Sequence, residues 1–207
     1  MAIGVEATPE RIIEAAGEVF AKKGFQRATV REICQRGKAN LAAINYHFGD
    51  KRRLYVEAVK RAHVNRIKQF PLPEWPPGTP PEKRLHDFVL TLLRRMISPG
   101  GSQWEGELMI REITEPTEAC QELVREYIGP HFRALGSIVE ELMPHAEPEK
   151  RHLVAFSVVG QCLHYRVTEP VIRLLVSSEE YRRYQPERLA EHISELTLRG
   201  IGAQAAD

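Results

Sequence analysis

The stretch ATVREICQRGKANLAAINYHFGDKRRL, from Ala28 to Leu54, decides the fold. Thr29-x-x-Glu32 is a capping-box pattern that opens a short helix with Val30, Ile33 and Cys34 directed inward. Gly37 to Asn40 makes a turn, a second short helix runs over about Leu41–His47, and Gly49-Asp50 breaks it. Asp50 caps a longer helix, about Lys51–Phe70, that opens with the cations Lys51, Arg52 and Arg53. The second short helix carries small and amide side chains where a lone surface helix would carry Glu and Lys. Two short helices about a tight turn, the second one thin, form the layout of a helix-turn-helix made to enter a DNA major groove.

Upstream, Thr8-Pro9-Glu10 starts a helix with an N-cap, a first-position proline and an acid in the first turn. Ile12, Ile13, Ala16, Val19 and Phe20 form its apolar stripe, and Gly24 is the expected stop. Downstream, PLPEWPPGTPP (71–81) holds six prolines in eleven residues, which no helix or central strand survives. It reads as a stiff connector. Beyond it helices are expected at about 82–98, 103–115, 117–143, 148–177 and 186–202, with bends at Gly129-Pro130 and Pro170. The segment 153–176 is apolar around most of its circumference, so it should be buried on more than one side, with a second chain as the expected cover. The fold class is therefore all-α. Residues 1–50 form a three-helix DNA-binding domain with a connecting helix at 51–70, 71–81 is the linker, and 82–207 is a helical body.

Phosphates supply affinity for DNA and base edges supply sequence information. Thr29, at a helix N-terminus, and Lys51, at the next one after the second short helix, are phosphate candidates. Tyr46 and His47 can donate to phosphate from the end of that helix, and Asn40 stands in the turn before it. Arg31 is a candidate for a guanine edge and Asn45 for an adenine edge. Leu41, Ala42 and Ala43 complete the groove-facing set, the alanines keeping the surface thin enough to touch thymine methyls. Ile44 and Phe48 should face inward as anchors.

The runs R-I-I-E-A-A-x-E-V-F-A-x-x-G-F (11–25), T-V-R-E-I (29–33) and A-A-I-N-Y-H-F-G-D-K-x-x-L-Y (42–55) resemble the DNA-binding domain of the TetR family of bacterial transcriptional repressors. The wording N-L-A-A-I-N-Y-H-F, with R-E-I-T-E-P-T (111–117) and V-G-Q-C-L-H-Y (159–165), more narrowly resembles the branch with a CecR/CerR-type C-terminal domain. The resemblance implies a homodimer joined through the last two long helices, a double-stranded palindromic DNA operator as partner, and a small-molecule effector bound in the C-terminal body. Candidate effector contacts are Trp104, Met109, Arg111, Glu112, Cys120, Phe156, Gln161, His164, Tyr165 and Arg166, polar or aromatic groups set among apolar helices. One position departs from the family pattern: Lys38 stands where a glycine is usual, with Gly37 one place earlier. A left-handed turn residue there would strain Lys38 by roughly 1 kcal/mol.

Composition narrows the alternatives. Net charge is only +1, yet residues 1–70 hold 14 Lys/Arg against 7 Asp/Glu while the rest holds 15 against 21, so only the head is suited to a polyanion. No run of about 18 apolar residues suggests a membrane span, and the N-terminus lacks the pattern of a secretion signal. Cys34, Cys120 and Cys162 lie far apart without a C-x-x-C, which suits reduced thiols in a cytoplasm. The competing class is an all-helical enzyme or a metal- or redox-binding protein. There is no G-x-S-x-G, H-E-x-x-H, phosphate-binding glycine loop or zinc spacing. Glu149-x-x-His152 has di-iron spacing but lacks the second pair such a site needs. No catalytic residue, metal or cofactor is expected.

Overall fold

The computed structural model describes residues 8–202, and among these every regular element is helical. The reading of the first seven residues as no secretion signal lies outside the described residues. None of the described helices is long and apolar enough to cross a membrane.

The chain divides into two compact units, the first comprising residues up to Arg66 together with Gly100–Arg125, the second Ile67–Pro99 and Glu126 onward. In the first unit α1 (Pro9–Arg27), α2 (Val30–Gly37), α3 (Leu41–Phe48) and most of α4 (Lys51–Gln69) are joined by α6 (Gln103–Thr114) and α7 (Glu118–Leu123). The expected stop at Gly24 is a non-helical residue (φ 71°) inside α1, after which a last turn continues to Arg27. Ile12, Ala16, Phe20, Ile33, Ile44, Leu54 and Leu108 are fully buried here. Phe20 and Phe25 both meet the Tyr55 ring edge-on, with centroids 4.9 and 5.2 Å away.

Sequence reading keeps 82–207 in one helical body, whereas Gly100–Arg125 packs with the head. The reason is a set of bonds made across long sequence separations. Trp104 lies against Gly17 so closely that a methyl there would overlap its ring. Its indole Nε1 donates to Glu14 (2.8 Å), which also accepts from the Ser102 hydroxyl (2.8 Å). Buried Glu112 accepts from the Tyr55 hydroxyl (2.5 Å) and from the Thr117 amide (2.7 Å) and hydroxyl (2.9 Å). The Asn65 amide donates to Glu105 (2.6 Å). A buried carboxylate survives only when its lone pairs are taken up this way, so α6 is held to α1 and α4 by directional bonds.

The second unit contains α5 (Pro81–Ile97), α8 (Gly129–Leu142), α9 (Pro148–Val167), α10 (Glu169–Leu175), α11 (Ser178–Tyr181) and α12 (Pro186–Gly200). Its core is apolar: Leu85, Val89 and Leu93 of α5 meet Leu135, Ile138 and Val139 of α8, Ala155, Val158 and Cys162 of α9, and Ala190 and Ile193 of α12. Burial lifts the Cys162 thiol to about 12, which leaves it an inert small apolar group. The bend expected at Gly129-Pro130 appears just before it, as a π-helical turn over Val124–Ile128. Pro130 has no N–H and crowds the carbonyl four residues back, so the hydrogen-bond register slips there. Pro170 acts likewise: α9 ends at Val167 and α10 restarts at Glu169.

Candidate nucleic-acid interface

Thr29 caps α2 in a complete capping box: its hydroxyl accepts from the Glu32 amide (3.3 Å) and donates to Glu32 Oε2 (3.0 Å), while its own amide reaches that carboxylate (3.2 Å). Arg11 donates to the Gly37 carbonyl (3.3 Å), and the pairs Lys23–Glu32 and Arg36–Glu18 join α1 to α2 along their length. Gly37 lets the end of α2 approach α1, since a methyl there would stand 3.2 Å from the Ala15 methyl. The left-handed position falls one residue later, on Lys38 (φ 48°, ψ 42°). The turn is thus the one the family pattern implies, with lysine holding the glycine position under strain. Asn40 then caps α3, its Oδ1 accepting from the Ala43 amide (2.8 Å), which leaves the amide NH2 open.

Ile44 and Phe48 are buried and anchor α3. Leu41, Ala42, Asn45, Tyr46 and His47 are exposed and Ala43 is half-buried. Tyr46 is 85% exposed, an extreme for an aromatic ring with an apolar body. Thr29, Arg31 and Asn40 are exposed and Lys51 is half-buried, so none of the ten residues named from sequence is sealed inside. They gather on α2, the turn, α3 and the first residue of α4.

Charge on this surface is one-sided. The only acids between Ala28 and Leu54 are Glu32 and Asp50. Glu32 is committed to Lys23 and Thr29, contacts that hold its carboxyl below the usual range. Asp50 caps α4 by accepting from the Arg53 amide (2.8 Å). Sequence treats Lys51-Arg52-Arg53 as one cationic run, and the structure separates its members. The Lys51 ammonium lies over the Phe25 ring (4.6 Å) and donates to the Gln26 carbonyl (3.4 Å), and Arg52 pairs with Glu118 of α7. Arg53 is exposed without an ion pair among the described residues, as are Arg31 and Lys38. Arg53 therefore joins the candidates; sequence had no means of ranking it above Arg52, whose partner lies far along the chain.

The residues named as effector contacts divide between the units. In the first, Trp104, Arg111 and Glu112 have their polar groups occupied: Trp104 by Glu14, Glu112 by Tyr55 and Thr117, and Arg111 by the Ala21 carbonyl (3.3 Å) and Glu115 (3.1 Å). Met109 and Cys120 are half-buried. In the second, Phe156 is exposed on α9 and stacks on Phe132 (5.0 Å). Gln161 donates to the Ser157 carbonyl (3.3 Å), His164 is exposed, Tyr165 is half-buried edge-on to Tyr184, and Arg166 faces Glu169 (3.7 Å). No group of three or more His, Cys, Asp or Glu with metal-binding geometry occurs among the described residues.

This arrangement is that of a helix-turn-helix regulator. Residues 12–58 match the model of the bacterial regulatory proteins of the tetR family, and residues 81–201 match the C-terminal domain of the HTH-type transcriptional dual regulator CecR. The chain belongs to the TetR family of DNA-binding transcriptional regulators and carries the CecR type of C-terminal domain. It is similar to the HTH-type transcriptional dual regulator CecR of Shigella flexneri, at 23% identity over 99% of this chain and 97% of that protein. The fold matches a bacterial regulatory protein of the tetR family from Rhodococcus RHA1 with a TM-score of 0.68 at 18% identity, covering 96% and 98% of the two chains. A TetR-like regulator from Rhodococcus sp. RHA1 gives 0.64 at 16% identity, covering 96% and 98%. Regulators of this family bind DNA and act as homodimers.

Proposed function

We propose that this protein is a cytoplasmic repressor that holds a palindromic operator as a homodimer and leaves it when a small molecule binds its helical body. The observation that carries the proposal is the surface of α3: small and amide side chains stand open, free cations flank them, and both nearby acids are turned to internal partners. Asn45 and Ala42 read base edges, Arg31 contributes a guanine contact, and Lys51, Arg53 and the Asn40 amide hold phosphates. The second copy covers α9 and α12, where Leu153, Phe156, Val167 and Leu196 are exposed. Two recognition helices then meet successive major grooves about 34 Å apart. An effector releases DNA by favouring a conformation that fits this spacing badly. The proposal includes no chemical reaction.

The test is binding to inverted repeats in the DNA beside the gene, by fluorescence anisotropy across a salt series. Specific affinity should fall steeply with salt. Asn45→Ala should cost about 1–3 kcal/mol on the operator and little on random DNA. Lys51→Ala should weaken both alike and lower the salt slope by about 1. Equal losses from the two substitutions on both DNAs would refute this division between base and phosphate contacts.

A further inference from the structure

The outward line of α9 does not stop where α9 ends. Leu153, Gly160 and Val167 stand seven residues apart on its exposed side, and the next step of seven is Leu174, exposed on α10. His164 is followed in the same way by Val171, also exposed. The inward side keeps step too: Val158 is buried, Tyr165 half-buried and Ile172 buried. Seven residues make almost two helical turns, so residues at that spacing share a face. Across the break at Thr168, α10 therefore carries on the phase of α9.

The backbone shows how. Thr168 (φ −99°, ψ 10°) lies close to the helical region. Its amide donates to the His164 carbonyl, and its own carbonyl accepts from the amides of Val171 and Ile172, each at 2.9 Å. Its hydroxyl also donates to the His164 carbonyl (2.6 Å), a bond that bends helices, and Pro170 has no N–H to continue the ladder. The chain bends at one residue and goes on. At its far end α10 is fastened. Arg173 pairs with Glu169 (2.8 Å), and its guanidinium lies over the Tyr181 ring of α11 (4.0 Å). The returning chain sets Tyr184 edge-on to Tyr165 of α9, with centroids 6.5 Å apart. So α10 is a braced arm, yet Leu174 is 87% and Leu175 76% exposed, with Val171 open beside them. Leucines held this far into water mark a surface that another apolar surface covers.

We propose that α10 is a dimerisation arm: Val171, Leu174 and Leu175 extend the face of α9 and pack on the second copy of this chain. Continuity names the occupant. The arm prolongs the line on α9 that faces the second copy, and regulators of this family act as homodimers. The charges of the arm are spent within it, Arg173 on Glu169 and Arg183 on Glu179, which leaves the apolar side chains to make the contact. A two-fold pair uses the same patch twice, so each leucine counts double. This rests on the reading of α9 as the face between copies.

The test is dissociation of the full-length dimer without ligand, followed by fluorescence-detected sedimentation over a dilution series. Leu174→Gln with Leu175→Gln keeps helix-forming side chains but puts amides on the arm. The dimer Kd should rise on the order of 100-fold, with the far-UV circular dichroism unchanged. Leu174→Met with Leu175→Met keeps the apolar bulk and should stay within about threefold of the parent. If the Gln pair loses helicity, Leu174→Ala with Leu175→Ala carries the same comparison. The proposal is overturned if the polar or truncated pair dimerises like the parent, or if the Met pair loses as much affinity as the Gln pair. Replacing Leu153 and Phe156 with Glu tests the underlying reading separately. If that variant is monomeric while the Gln pair dimerises like the parent, α9 keeps its role and the arm falls. If the Gln pair weakens the dimer and the Glu pair does not, the arm stands and the assignment of α9 falls.

Discussion

Two helices of this protein leave large parts of their surface uncovered, and they do so with opposite chemistry. On α3 the exposed set is mostly small or polar, Ala42, Asn45, Tyr46 and His47, with Leu41 at its start. Cations without ion pairs border it. On α9 the exposed large side chains are mostly apolar: Leu153, Phe156 and Val167 follow one line along a 20-residue helix, with Gly160 and His164 between them. An uncovered face says only that something is missing. The size and polarity of its side chains, and the charge around them, say what kind of thing: a polyanion with polar edges for α3, a matching apolar surface for α9. The helices also differ in how they are held. At eight residues, α3 is shorter than the roughly 12–15 a helix needs to persist alone, so its position depends on two anchors.

The largest effect should come from α9. Replacing Leu153 and Phe156 together with Glu puts two charges on the proposed dimer face. Sedimentation should then report a monomer, and operator affinity should fall on the order of 100-fold or more, because the second half-site no longer binds as part of one molecule. The first unit's surface is untouched, so weak non-specific binding should persist. A double variant that still sediments as a dimer would break the assignment of α9 and leave its stripe unexplained.

Next comes the anchor of α3. Ile44 is fully buried, and Ile44→Ala should destabilise the protein by about 2–5 kcal/mol in a denaturant melt. The sharper readout is specificity. An α3 that has lost half its anchorage should discriminate operator from random DNA poorly even at temperatures where the fold persists. If specificity survives at full strength, α3 is positioned by something other than its two inward side chains.

How much of this could be read from sequence depends on how far each feature reaches along the chain. Thr29 with Glu32, Asn40 ahead of α3, Ile44 and Phe48 as anchors, and the interruptions near Pro130 and Pro170 are local effects, decided within one or two turns by hydrogen bonding and sterics. The helix boundaries in the body were legible for the same reason. What could not be read was α6 joining the head. Its bonds link Trp104 to Glu14 and Glu112 to Tyr55, residues 90 and 57 apart, and nothing in the local pattern of either names its partner. Trp104, Arg111 and Glu112 meet the same limit: sequence names them only as polar groups on apolar helices, and the structure adds the partners that occupy them.

The smallest effect concerns the turn that presents α3. Lys38 is the one non-glycine with positive φ among the described residues, and its exposed side chain makes no ion pair there. A left-handed lysine is strained by roughly 1–2 kcal/mol, while a glycine there gives some of that back through the greater freedom of its unfolded chain. Lys38→Gly should therefore raise stability by up to about 1 kcal/mol, read as a shifted midpoint at constant m-value. It also removes a cation beside α3, so the salt slope of operator binding should drop by no more than about 1 if that side chain touches phosphate. The two readouts separate what the residue does for the turn from what it does for DNA. A gain in stability with unchanged DNA binding makes Lys38 a tolerated strain. A gain in stability with weaker binding makes it a contact retained at the expense of the fold. A markedly less stable glycine variant would mean that the lysine side chain supports the turn, contrary to the geometry described above.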